Sequence, residues 1–432
     1  MNSVWTSETQ IPKFPKLNHD INAQVAVIGG GIAGILIAYM LKEKGLNCVL
    51  IEANRIGMGI TKNTTAKITS QHGLIYNNLI NRIGFENSKK YLMANELAIK
   101  KYKSICKNIE CEFCELDSYV YSLNNRKDIE NEVESVNSLG VEAKFVNETE
   151  LPIKMAGAIK FKAQAQFNPI LFLKEISKGL EIYEQTKVQN INGNTIETEN
   201  GNIYAENIVV ATHYPFMNKK GLYFVKMYQE RSYVLGLEHA QKLNGIYIGG
   251  TENNSLSFRN YKNLLLLGGA SNRTGKSSNN FDRLRSIARK LYPNSNEKYL
   301  WATQDCMTPD NIPYIGKYSP NTKNLFVATG FNKWGMTSSM VSAMILSDLI
   351  TNKDNEFKDV FSPQRSFLNK KQTYINIGES FKNLLTPSLK RCSHMGCALK
   401  YNPQEDSWDC PCHGSRFTKE GNLIDNPAKR DL

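Results

Sequence analysis

The chain lacks the features of a secreted or membrane-spanning protein. Residues Met1 to Asp20 hold no apolar leader core and carry Pro12 and Pro15. Val25 to Leu41 runs 17 residues without a charge, but Gly29-Gly30-Gly31 interrupts it, which does not suit a lipid-crossing helix. No membrane span and a cytoplasmic location are expected. A long basic run is also missing. Lys+Arg 53 against Asp+Glu 41 gives +12, yet the lysines lie in scattered pairs such as Lys89-Lys90, Lys219-Lys220 and Lys370-Lys371. Such an excess sets solubility and general field, so no nucleic-acid partner is expected. There is no internal repeat. Five of the nine cysteines are dispersed, at Cys48, Cys106, Cys111, Cys114 and Cys306. The other four, Cys392, Cys397, Cys410 and Cys412, fall within 21 residues. Without a secretory signal, this cluster reads as a metal or redox site rather than a disulfide scaffold.

What is present is an ordinary globular composition, 41% hydrophobic and 22% charged over 432 residues. That length suits about three domains. Gln24 to Ile28 is a short apolar run ahead of the glycines. Ile32 to Lys44 has helical composition and stops at Gly45. Asn47 to Ile51 is again strand-like. This β-α-β unit carries Gly29-x-Gly31-x-x-Gly34, with Glu52 21 residues after Gly31. Gly29 makes the tight turn, Gly31 lets backbone approach a pyrophosphate, and Gly34 lets helix pack on strand. The helix start offers free N–H groups to phosphates, and Glu52 offers a carboxylate to a ribose. A dinucleotide site follows, but the glycines do not distinguish FAD from NAD.

Further on, Asn192-Gly193 and Asn200-Gly201 are hairpin signals, and Ile208 to Thr212 reads as a buried strand. Strands are expected at Tyr233 to Leu237, Ile246 to Ile248, Leu264 to Leu267 and Leu325 to Ala328. Helices are expected near Lys276 to Leu291 and Met336 to Ile350. Thr351 to Lys390 is polar with Pro363 and Pro387 and reads as a linker, helical over Gln372 to Leu385.

From about Trp5 to Ile350 the chain resembles the D-amino-acid oxidase and glycine oxidase family of FAD enzymes. Within it, the chain is most similar to the branch of γ-glutamylputrescine oxidoreductase and the FAD–Rieske fusions. Val25 to Gly34 carries part of the likeness. Thr64-Thr65-Ala66-Lys67 resembles the family's pyrophosphate and flavin contacts, and Val188 a backbone contact to adenine. Asp310-x-x-Pro313-x-Ile315-Gly316, followed by Gly330-Phe331-x-x-x-Gly335-Met336, resembles its C-terminal flavin motif. The helix starting near Met336 would aim its positive end at the flavin and stabilise negative charge there. The resemblance implies a Rossmann-like FAD-binding domain with an antiparallel-sheet substrate domain, an α/β architecture overall.

One departure bears on substrate. Many amino-acid oxidases of this family carry an Arg about five residues before the motif Asp, to pair with a substrate carboxylate. Asp305 stands there instead. An aspartate suits a cationic amine, or simply caps a loop. His72 and Lys67 follow the flavin loop, and Arg231 and Tyr233 lie on a strand expected to line the substrate side. Hydride transfer to flavin needs orientation more than an acid–base pair.

The C-terminal cluster reads Cys392-x-His394, fifteen residues, then Cys410-x-x-His413. This closely resembles a Rieske [2Fe–2S] centre. The likeness implies Cys392 and Cys410 on one iron and His394 and His413 on the other, with a potential above that of an all-Cys cluster. It also implies a Cys397–Cys412 disulfide. A Cys₂His₂ zinc site is the competing reading. The β base of this segment is shortened at both ends, so it must lean on the flavin domain or on a partner. Cys106-x₄-Cys111-x₂-Cys114 matches part of a ferredoxin spacing but lacks a fourth cysteine, and reads as plain thiols.

The expected organisation is an FAD oxidoreductase over 1–354, a linker over 355–387 and a Rieske-type segment over 388–432. FAD-binding segments fall at about 22–80, 150–215 and 300–352, and substrate segments at about 85–148 and 220–300. The expected function is oxidation of a small substrate, an amine, with electrons passing from flavin to cluster to an external acceptor. The alternatives are a redox-responsive electron-transfer protein without a small substrate, or an FAD-binding relative whose cluster is lost.

Overall fold

The computed structural model describes residues 3–217, 220–250, 255–276, 279–368 and 370–432. Ile21–Ile28 is buried on both faces over its second half and forms the centre of a mainly parallel sheet. Cys48–Ile51 and then Glu181–Tyr183 extend it on one side. Asn202–Val210 and Leu325–Thr329 extend it on the other, all parallel. Continuous apolar runs are what strands covered on both faces require. Tyr314–Lys317 adds an antiparallel edge, and the expected hairpin at Gly193 joins Val188–Asn192 to Thr195–Thr198. The helices Ile32–Glu43 and Gly335–Ile350 pack on each other.

The second sheet has nine strands. Its central path runs Asn296–Met307, Tyr228–Glu238, Leu264–Arg273, Ser257–Tyr261, Gly245–Gly249, Cys114–Ser122 and Gly157–Gln166. It is antiparallel except between Gly245–Gly249 and Cys114–Ser122. Strand alternation gives it two faces. Val234, Ile246, Leu266 and Trp301 join the core shared with the first sheet's helices. Tyr233, Leu235, Phe258 and Leu267 pack on the outer side with Phe281 and Leu284 of helix Asn280–Leu291. Gly157–Gln166 and Asn296–Met307 thus belong to the second sheet, although the sequence groups about 150–215 and 300–352 with the nucleotide part. Their mixed polarity fits either sheet, and only the strand pairing decides.

The expected linker is largely built into the flavin module. Phe357, Val360 and Phe361 are buried in its main core, and Ile315 N donates to Phe361 O at 2.8 Å. Arg365 grips the motif carboxylate of Asp310 with two bonds, of 2.7 and 2.9 Å. Lys371–Leu385 is a helix. Beyond it, four three-residue strands, Lys400–Asn402, Ser407–Asp409, Arg416–Thr418 and Leu423–Asp425, form a small antiparallel sheet. Its core is little more than Cys392, Cys397, Leu399, Cys410, Cys412, Phe417 and Ala428, too few groups to stand alone. No described helix is long and apolar enough to cross a membrane.

Candidate functional site

The glycine turn has no room for side chains at Gly29 and Gly34. Gly29 sits at φ +112, and a Cβ there would lie 2.5 Å from Ala211 O. A Cβ on Gly34 would collide with the carbonyl oxygen of Gly29, so only glycine lets this helix lie on its strand. A Cβ on Gly31 would meet nothing nearer than Thr61 Oγ1 at 3.5 Å. The backbone there is open to a bulky group, which is what a pyrophosphate needs. Glu52 accepts from Gly30 N at 2.7 Å and Asn54 N at 2.8 Å, which fixes its carboxylate beside the turn. Burial raises its pKa against these bonds. Sequence reading missed Thr61, whose hydroxyl accepts from Ile32 N at the helix start (3.0 Å). Its signal was available, since Thr61 belongs to the same threonine-rich loop. Val188 begins its strand just beyond Thr186, whose N–H donates to Glu52 O.

The loop after Glu52 is pinned from several sides. Trp5 Nε1 donates to Thr64 O at 2.7 Å, and Arg259 Nη1 donates to Thr65 O and Ala66 O at 2.7 and 2.9 Å. Lys67 Nζ donates to Thr65 Oγ1 (2.9 Å) and Ser257 Oγ (3.1 Å). Burial, with the neighbouring Arg259 charge adding to it, pulls the Lys67 pKa down to about 7. Buried Arg259 is likewise pulled down, to about 9. Two cations drawn together here create a positive field suited to an anionic group.

His72 is fully engaged. Its Nε2–H donates to Thr69 O at 2.9 Å, so Nδ1 accepts from the Tyr91 hydroxyl at 2.7 Å. Burial lowers its pKa to about 3, and the ring stacks on Trp334 at 4.8 Å. It has no lone pair to spare for a substrate proton. His72 instead positions Trp334 at the start of helix Gly335–Ile350, whose first turn has no side-chain cap. Gly330, at the head of the same loop, has no space for a Cβ beside Thr308.

Asp305 pairs across the strands with Glu230, and Lys333 reaches over to Glu230 at 2.8 Å. Burial raises the Asp305 pKa to about 6, with Lys333 opposing and Glu230 adding. This is a carboxylate pair with one lysine. Tyr233 does not line it. Its ring packs edge-on to Phe281 at 4.7 Å on the outer face of the sheet. Arg231 shares that outer side, whereas Cys306 joins the core of the first sheet with Ile28 and Val210. Strand alternation sends the side chains of Tyr233 and Arg231 away from the first sheet's helices.

The two C-terminal loops repeat one construction. Gly396 N donates to Cys392 O (2.8 Å) and Gly414 N to Cys410 O (2.9 Å). Cys392 N donates to Cys397 O, and Cys410 N to Ser415 O, each at 2.9 Å. The four thiols share one buried nest. The sulfurs of Cys397, Cys410 and Cys412 lie within 4.8 Å of one another, and Cys392 contacts Cys410. The rings of His394 and His413 are 5.0 Å apart and perpendicular. His413 Nδ1 is buried without a hydrogen-bond partner among the described residues. Such an orphaned nitrogen beside buried thiols fits a metal-bound cluster.

The second loop is docked on the outer side of the flavin module. Gln229 Nε2 donates to His413 O (2.7 Å) and Asn426 O (2.9 Å), and Gln304 Nε2 to Gly414 O (2.8 Å). Arg273 donates to Pro411 O (2.8 Å) and Cys412 O (2.9 Å). Asn426 Nδ2 donates to Thr212 O at 2.7 Å, at the end of the strand beside the glycine turn. The His413 ring lies edge-on to the Phe224 ring at 6.2 Å.

A glycine-turn parallel sheet joined to an antiparallel sheet, with a docked Cys–His pair of loops, defines a two-cofactor redox protein. The chain belongs to the FAD dependent oxidoreductase family, whose model matches residues 24–349, and residues 368–432 match the Rieske [2Fe-2S] domain. Its cofactors are FAD and a [2Fe–2S] cluster. It is 35% identical to YhfW of Bacillus subtilis (strain 168), over 100% of this chain and 96% of that one. Glycine oxidase from Geobacillus kaustophilus superposes with TM-score 0.67 at 20% identity, over 80% of this chain and 99% of that one. L-proline dehydrogenase from P. horikoshii gives 0.66 at 18%, over 82% and 98%.

Proposed function

We propose that this protein oxidises a small cationic amine and passes the electrons through its Rieske segment to an external acceptor. The observation that carries this reading is the buried hydrogen bonding of the His413 loop to Gln229 and Gln304 of the flavin module. Both glutamines are almost fully buried, and fixed contact of this kind favours electron exchange within the chain over release to oxygen. When bound, FAD supplies a two-electron acceptor and the cluster a one-electron carrier.

Residues Gly29 to Gly34, Glu52, Thr64, Thr65 and Val188 would hold the dinucleotide, and Gly330, Gly335 and Met336 would present a helix start to the flavin. Lys67 and Arg259 supply positive charge, and His72 holds Trp334 in place. Cys392, His394, Cys410 and His413 would hold the cluster, with Cys397 and Cys412 as a bracing disulfide. Asp305, with Glu230, would receive the ammonium group of the substrate and orient it. A protonated Asp305 loses this attraction, so kcat/KM for an amine should rise with pH through about 6. Asp305→Asn should remove that rise and lower kcat/KM about 10- to 100-fold, the loss of one charge-assisted bond. An unaltered pH profile in the variant would remove Asp305 from the substrate site.

The overall test is anaerobic addition of amines to the purified protein, followed by absorption and low-temperature EPR. Flavin bleaching together with a reduced Rieske signal supports the reading. Bleaching without any cluster signal, in protein containing iron and sulfide, overturns the internal relay. Failure of every amine to bleach the flavin overturns the substrate class.

A further inference from the structure

The helix Lys371–Leu385 is amphipathic in the wrong sense for a protein interior. Its inward positions are polar. Asn376 Oδ1 accepts from Arg273 at 2.8 Å, Asn383 O accepts from Ala398 N at 2.9 Å, and Thr373 Oγ1 donates to Phe367 O at 2.7 Å. Its outward positions are apolar. Tyr374, Phe381 and Leu385 are 65%, 63% and 81% exposed, and the spacing 374, 378, 381, 385 puts them on one stripe. Ile375 and Leu384 flank it, and Leu368, Leu389 and Met395 continue the exposed apolar surface at either end. Eight of the sixteen large apolar residues exposed among the described residues fall within Leu368 to Met395.

The same stretch carries Lys370, Lys371, Lys382, Lys390 and Arg391 against a single acid, Glu379. That acid is occupied by Lys276 at 2.6 Å. An exposed apolar stripe beside several basic residues matches an anionic bilayer surface. A second copy is a poorer occupant, because a two-fold contact through this face would set basic residues against basic residues.

We propose that the face formed by Leu368 to Met395 seats the protein on an anionic lipid surface, with the helix lying in the interface plane. The proposal does not depend on the reading of the flavin site. It has a consequence for the iron–sulfur segment, because this helix borders the cluster loops. Cys412 Sγ contacts Glu379 O at 3.9 Å, and Arg391 ties the first loop to Leu384 O at 3.2 Å and Thr386 O at 3.1 Å. His394, in that loop, precedes the exposed Met395. Seating the helix would bring the half-exposed edge of the cluster segment to the lipid surface.

The test is co-sedimentation of the full-length, flavin- and iron-loaded protein with vesicles. One set is phosphatidylcholine alone, and the other includes phosphatidylglycerol. The bound fraction should rise with phosphatidylglycerol and fall at high salt. The triple variant Tyr374→Ser, Phe381→Ser, Leu385→Ser should bind at least about tenfold more weakly. Lys371→Gln and Lys382→Gln should each weaken binding about fivefold, as expected for a basic residue at a charged surface. Flavin content and turnover with a soluble acceptor should not change in any of them. Absence of phosphatidylglycerol-dependent binding overturns the proposal, as does equal binding by the triple variant. A wild-type dimer in sedimentation velocity that the triple variant converts to monomer also overturns it, and assigns the face to a second copy.

Discussion

Gly34→Ala is expected to yield a protein that carries no FAD after gel filtration. The added methyl would occupy the position of the Gly29 carbonyl oxygen. That carbonyl cannot retreat, because Gly29 N is bonded to Ile51 O at 2.8 Å and Ala211 N to Ile28 O at 2.8 Å, which fix the turn between its neighbouring strands. The helix must therefore lift from the strand. Its N-terminal turn then leaves the phosphate position, and Ile32 N leaves Thr61 Oγ1. Overpacking of this kind costs about 3 kcal/mol, and backbone as the colliding partner places it at the upper end. A shift of the helix start by about 1 Å is enough to lose oriented N–H contacts to an anion. Flavin absorbance per chain measures the outcome. Gly378→Ala is the control, since a Cβ there meets nothing within 4 Å and the exchange favours a helix by about 1 kcal/mol. If Gly34→Ala retained stoichiometric FAD, the glycine turn would not be the phosphate site.

The turn was legible because its constraint is local. Three glycines, a strand and a following acid specify one construction within about thirty residues. The cluster loops were legible for the same reason, since ligand chemistry fixes residue type and spacing. The docking between them was not. Gln229, Gln304 and Arg273 are polar residues on strands, and nothing in their neighbourhood distinguishes a buried interface from a solvated face. Tyr233 shows the same limit, because an extended strand can be recognised while its inward face cannot. The segment 355–365 was hidden differently. Phe357, Val360 and Phe361 stand among charged residues with Pro363 close by, and only tertiary packing gives them a core to join. Helix Lys371–Leu385 was readable as a helix, but its burial was not, because the buried side is the polar one.

Arg416→Met is expected to destabilise the Rieske segment by about 3–5 kcal/mol, whereas Arg231→Met spares its internal assembly. Both arginines address the same carboxylates. Arg416 donates to Asp409 (3.0 Å), Asp425 (3.2 Å) and Glu405 (2.9 Å), and it bridges three strands of the small sheet and the turn between two of them. Arg231 comes from the flavin module, donates to both oxygens of Glu405 and lies 4.0 Å from Asp425. Arg231, Arg416, Glu405 and Asp409 are all nearly inaccessible to water. Removing Arg416 leaves three carboxylates around one arginine, and an uncompensated buried charge is what makes a broken buried pair costly. Removing Arg231 instead leaves Arg416 to satisfy Glu405 and Asp425. The segment keeps its own network and loses its anchor to the flavin module. The Arg416 variant should therefore lose the Rieske EPR signal together with iron. The Arg231 variant should keep both, yet reduce its cluster from flavin more slowly after rapid mixing with reductant substrate. Equal EPR loss in the two variants would mean that the segment cannot assemble without its docking contact, so the flavin module acts as part of its fold.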